Sequence, residues 1–133
     1  MTNSRIDRCL ASAVAIALAL MCAPAAGCGA CDEDKVAATY DHALVSRAAA
    51  RHDVIVFAAI EGTGNARVLA RDVKAAAARV PGIDRASIRT AAEPLALFFA
   101  VDPKVATPEV ALAAIEKRMP VSHVKLPVLR IGQ

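Results

Sequence analysis

The sequence predicts an α+β domain: a four-stranded antiparallel sheet in the order β-α-β-β-α-β, preceded by an additional N-terminal helix and by a cleavable leader. Three observations carry this expectation. The segments "DVIVFAAIEG" and "PLALFFAVD" are apolar on both faces over strand length, as strands in the middle of a covered sheet are. A capped stretch of helical period follows each of them. The first 27 residues have the layout of an export signal.

In that leader, "MTNSRIDR" supplies two arginines and "CLASAVAIALALMCA" an uninterrupted apolar run, which Pro24 breaks before a cluster of small residues. This order is that of a secretory signal. Ala23 and Ala25 form an A-x-A pair for cleavage after Ala25, with a cut after Gly27 as a competitor. An uncleaved anchor is the other reading, because the run is near the shortest helix that spans a bilayer. A third reading comes from "AAGC", residues 25–28, which resembles a lipoprotein signal except that Ala25 stands where leucine is usual. In that case Cys28 carries the lipid, and the chain meets the membrane only through its signal or that anchor. Each cleaved form is periplasmic or secreted.

Four cysteines fall to two once Cys9 and Cys22 leave with the leader. Cys28 and Cys31 then form a C-x-x-C pair in an oxidising compartment. Such a pair closes a small disulfide, exchanges disulfides with a partner, or holds a soft metal. Structural zinc needs four ligands, whereas copper(I) is satisfied by two sulfurs. Cys28 and Cys31 are therefore the candidate metal ligands, with Cu(I) or another soft ion as the cargo. No strand or βαβ unit surrounds "CGAC" as a thioredoxin-type dithiol requires.

Residues 28–52 hold this pair and one expected helix, "DEDKVAATYDHALVSRAAARH". Asp32 is its candidate cap, and Glu33 and Asp34 suit its positive end. Arg47, Arg51 and His52 suit the other end. Val36, Tyr40, Ala43, Leu44 and Ala48 make its apolar face. In a continuous helix His42 lies 11 residues beyond Cys31, about 16 Å along the axis at 1.5 Å per residue, too far to complete a site with the cysteines. His42 also points away from the apolar face, which makes it a solvated residue.

The remainder, residues 53–133, reads as the sheet domain. Val54, Val56, Ala58 and Ile60 share one face of the first strand, and Ile55, Phe57 and Ala59 the other. A helix follows with Asn65 as cap and apolar positions at Val68, Leu69, Val73, Ala76, Ala77 and Val80, ended by Pro81 and Gly82. "IDRASIRT" reads as the second strand and "PLALFFAVD" as the third. "TPEVALAAIEKRM" is a helix with Thr107 as cap and Pro108 in its first turn. In "VSHVKLPVLRI" Pro127 marks an edge or a bulge. Two doubly apolar strands in positions one and three match the middle of a ferredoxin-like sheet. Both core helices of that topology cover the same face. The row drawn from Ile55, Phe57, Ala59, Ala96, Phe98 and Ala100 then needs its own cover, from the additional helix or from a partner.

Composition narrows the function. The chain is 56% hydrophobic but 3% aromatic, which leaves no stacking platform for bases or sugars. Arg5, Arg8 and Asp7 go with the leader, so the 16 basic and 13 acidic residues fall to 14 and 12, with no basic block and no expectation of nucleic-acid binding. Ser46, Ser87 and Ser122 lie in no nucleophile motif, and "EGTGNA" is too short for a phosphate loop. No enzyme is expected.

Residues 54–131 resemble a heavy-metal-associated domain, the small module of copper chaperones and metal-pumping ATPases. The resemblance rests on "ARVPGIDRASIRT" and "VDPKVATPEVALAAIEK", similar to the family's helix end with second strand and to its third strand, loop and second helix. It implies a ferredoxin-like fold and, in the family, metal ligands in a G-M-T-C-x-x-C loop after the first strand. Here that loop is "EGTGNARVL". Gly62 matches, but Thr63, Gly64, Asn65 and Ala66 inherit no ligand role. The expectation is an exported soft-metal binding or trafficking protein acting through Cys28 and Cys31. The alternative is a non-catalytic envelope module that binds a protein partner, with Cys28 lipidated or bridged to Cys31.

Overall fold

The computed structural model describes residues 31–120 and 123–133. The expected leader, residues 1–27, and Cys28 lie outside the described residues. Two helices, α1 (Asp32–Thr39) and α2 (His42–Arg51), lead into β1 (Val54–Ala59), α3 (Ala66–Ala77), β2 (Arg89–Ala92), β3 (Leu95–Val101), α4 (Pro108–Lys117) and β4 (Val128–Gly132). The strands form one antiparallel sheet in the order β2-β3-β1-β4, an arrangement compatible with a ferredoxin-like fold. β1 and β3 hold the centre because both their faces are apolar and an edge would leave one side in water.

The register runs from Val54 opposite Val101 to Ala59 opposite Ala96. It places Val56, Ala58, Leu97 and Phe99 on one face, buried with Leu69, Val73 and Ala77 of α3 and Ala111, Leu112 and Ile115 of α4. Asn65 starts α3 by accepting hydrogen bonds from the backbone N–H groups of Arg67 and Val68, and Thr107 starts α4 by accepting one from Val110, with Pro108 at the first helical position. The opposite face carries Phe57 and Phe98, whose ring centroids are 4.9 Å apart at 56°. Leu44 is buried against this pair, and Val36, Val45, Ile55 and Leu129 pack around it. α1 and α2 therefore cover this second face.

Four details differ from the sequence reading, and hydrogen-bond chemistry accounts for most of them. The single helix over 32–51 is two helices, broken where Tyr40 and Asp41 are extended. The Asp41 carboxylate accepts from the N–H groups of Ala43 and Leu44 at 2.9 and 3.2 Å and so starts a new helix. Thr39, a residue before the break, is buried and turns its hydroxyl back to the carbonyls of Lys35 and Val36. Tyr40 consequently leaves the apolar face and is 51% exposed.

The second strand is shorter than "IDRASIRT". Asp84 accepts from the Ala86 N–H through its side chain, winding Arg85–Ser87 into a 3₁₀ turn, and β2 begins only at Arg89. α3 ends at Ala77, ahead of the Pro81–Gly82 stop, and its buried stripe includes Ala70 while Val68 is exposed. The last strand starts after Pro127 on the sheet edge, with a register shift between Phe57 and Ala58. The Pro127 carbonyl still accepts from the Ala59 N–H at 2.9 Å, which uses the one ladder group a proline retains.

Two measurements check this packing. Leu44→Ala removes the buried residue that α2 sets on the phenylalanine pair and lowers unfolding free energy by about 2–3 kcal/mol in chemical denaturation. Ser87 is buried, donates to the Asp84 carbonyl at 2.6 Å and accepts from the Ala100 N–H at 2.8 Å. Ser87→Ala leaves that buried N–H unpaired and costs about 1–3 kcal/mol; an unchanged unfolding midpoint would show that the bridge is dispensable.

Candidate metal-binding segment

Cys31 is exposed and free, and it occupies the N-cap of α1 in an extended conformation, φ −66° and ψ 166°. Asp34, three residues on, turns its carboxylate back: Oδ2 accepts from the Cys31 backbone N–H at 3.2 Å and from Sγ at 3.1 Å. The cap thus falls one residue earlier than Asp32, which instead pairs with Lys35 at 3.6 Å. The signal for this lay in the spacing, because cap and third helical position exchange hydrogen bonds in the capping box and Cys31-x-x-Asp34 has that spacing. Asp34 is the residue that sequence reasoning missed at this site.

Chemically, the Cys31 sulfur is a soft donor with open access, and the carboxylate beside it is a hard acceptor that holds the thiol proton. A soft cation that replaces the proton takes the sulfur and leaves the carboxylate as a neighbouring charge. Among the described residues no group of three or more His, Cys, Asp or Glu is placed to hold a metal ion. Cys28, the other expected ligand, lies outside the described residues. Among the described residues Cys31 is therefore a single exposed soft donor.

The other sequence candidates are separated from it by the helix break. His42 is the first residue of α2, exposed, with Nδ1 at 3.4 Å from the Tyr40 hydroxyl. The axial distance that a continuous helix would set between Cys31 and His42 no longer applies. His52 closes α2 in the left-handed conformation at φ 59°, and its N–H reaches the carbonyls of Ala48 and Ala49.

The loop after β1 is committed elsewhere. Glu61 and Lys125 exchange backbone hydrogen bonds at 2.9 Å each way, and the Asn65 side chain caps α3. α1 lies on the sheet face opposite α3, so the helix carrying Cys31 and the helix following this loop are on different sides. Comparison with protein-family models, curated proteins and solved structures returns no match.

The Asp34 contact makes a kinetic prediction. Asp34→Asn removes a negative charge 3.1 Å from the sulfur and should speed alkylation of Cys31 by iodoacetamide about two- to fivefold at low salt. The gain should shrink as salt rises, since the site is exposed. A rate insensitive to the substitution would show that the carboxylate does not govern the thiol.

Proposed function

We propose that this chain is an exported, non-catalytic ferredoxin-like protein akin to heavy-metal-associated domains. In this reading the dithiol of Cys28 and Cys31 takes a soft monovalent cation, Cu(I) first, for trafficking in the periplasm or outside the cell. The observation that supports it is the open Cys31 thiol at the head of a helix fastened to the sheet. A cargo ion has to enter and leave by exchange with another thiol carrier, which calls for accessible sulfurs on a fixed mount. A buried cage would oppose that exchange. Two sulfurs are enough for a d¹⁰ ion of this softness, and the neighbouring carboxylates Asp32, Glu33 and Asp34 add favourable charge without competing as soft ligands.

The alternative, a partner-binding envelope module with lipidated Cys28, draws on a different observation. Among the described residues every buried polar side-chain atom has a hydrogen-bond partner, so the fold is complete without a metal. Lipidation and metal binding compete for the same sulfur, which makes the two readings exclusive at Cys28.

A Cu(I) titration of the mature protein against a chromophoric chelator decides between them. The dithiol reading expects close to one equivalent bound, and loss of that uptake in both Cys28→Ser and Cys31→Ser. Retained uptake in either variant would sink it. The intact mass of the envelope-derived protein reports on the alternative directly, since a diacylglyceryl adduct on Cys28 leaves Cys31 alone and puts the interaction module first.

A further inference from the structure

The second half of α3, the turn after it and the residues that end α4 line a cleft formed by Asp72, Ala75, Ala76, Arg79, Arg118 and Pro120, with a volume of about 260 Å³. We propose that this cleft binds a phosphate-type oxyanion between the guanidinium groups of Arg79 and Arg118. This goes beyond the soft-metal reading and does not depend on it.

Size sets the class of ligand. The volume is below the range of about 300–1,000 Å³ typical of pockets for drug-sized molecules, yet several times the space of one water. Ala75 and Ala76, which line it, carry no more than a methyl group. A small, compact ion fits such a space better than a nucleotide or a peptide.

Charge and donors set its sign. Arg79 follows α3 and Arg118 caps the C-terminus of α4, and neither meets a carboxylate among the described residues. Arg118 spends one N–H on the Ala114 carbonyl at 3.0 Å, the ordinary duty of a cation at a helix end. A guanidinium has five donors, so four remain for an anion, in the planar fork that matches two oxygens of a phosphate. The Asp72 carboxylate that also lines the cleft is already engaged: its Oδ1 accepts from Nε and Nη2 of Arg71 at 3.0 and 2.9 Å. Arg67 and Lys74 on the exposed side of α3 add positive charge: the helix carries three cations, of which Arg71 is paired with its single anion, Asp72. That field draws an oxyanion towards the cleft.

The shared chemistry is a tetrahedral phosphate, which a free phosphate or an anionic phospholipid headgroup supplies. The test titrates the chain purified from its producing cells with inorganic phosphate and, separately, with phosphatidylglycerol vesicles against phosphatidylcholine vesicles. Binding is followed by backbone amide shifts for the ion and by co-sedimentation for vesicles. Saturable shifts centred on Asp72–Arg79 and Arg118 identify the free anion, and binding confined to the anionic vesicles identifies the headgroup. In either arm Arg79→Gln should weaken binding at least about tenfold, the worth of one charge-assisted pair, and Asp72→Asn should tighten it about two- to fivefold. The proposal is overturned if neither probe binds at the cleft. It is equally overturned if binding persists unchanged in a folded Arg79→Gln/Arg118→Gln variant.

Discussion

Phe57 and Phe98 sit on the sheet face that the two crossover helices leave open, and their burial dictates what the chain before β1 must do. Each ring offers on the order of 150–250 Å² of apolar surface, which at about 25 cal/mol per Å² represents several kcal/mol withdrawn from water. A small domain has net stability of only about 5–15 kcal/mol. Leaving this face bare would therefore consume a large share of that margin and create an aggregation surface. Leu44, Val36 and Val45 answer it from α1 and α2. They make the N-terminal helices part of the domain rather than a tether.

Apolar contact is non-directional, and the position of α2 on the sheet is specified by charge. Arg47 and Arg51, one helical turn apart, both reach Asp84 Oδ2 at 3.2 and 3.3 Å, and Arg51 also meets the buried Asp53 at 3.3 Å. The arginines are partly exposed, so each pair contributes modestly, at most about 1 kcal/mol. Their effect is geometric. Asp84 is held in turn by the 3₁₀ turn before β2, so the two arginines tie α2 to one fixed point on the domain. The same carboxylate that shortens β2 thus orients the cover of the opposite face.

How much of this was legible follows from which interactions are local. Asn65, Thr107 with Pro108, and Pro127 announced their roles because caps and proline act on the backbone within three residues. The two doubly apolar strands announced the centre of the sheet. Helical period alone puts Tyr40 and Ala43 on the apolar face of one long helix, and the competing hydrogen bonds of Asp41 break that helix. Asp84 and Ser87 misled in the same way. In both places a short polar side chain offered the backbone an alternative to regular structure, which hydrophobic pattern does not register. At the site, the C-x-x-C spacing marked Cys31 as a candidate ligand, and its exposure at the N-cap of α1 is given by the structure. Its partner Asp34 was visible only as a capping-box spacing read with cysteine in the place of serine.

Cys31 and the loop after β1 are mounted on the fold in different ways. In the loop after β1, Glu61 is locked to Lys125 by paired backbone hydrogen bonds, and a side chain at Gly62 would meet Val124 at 3.4 Å. Ligands mounted there would inherit the rigidity of the main core. Cys31 instead stands at the head of α1, five residues or about 7.5 Å of helix rise ahead of Val36, the side chain that anchors α1 to the phenylalanine face. That anchor is partly buried, and Thr39 is the only fully buried residue of the helix. Segments with few buried apolar contacts open at lower free energy than the core does. Under the dithiol reading proposed above, the Cys31 sulfur therefore rides on a segment held by fewer buried apolar contacts than the main core, whereas ligands in the loop after β1 would not.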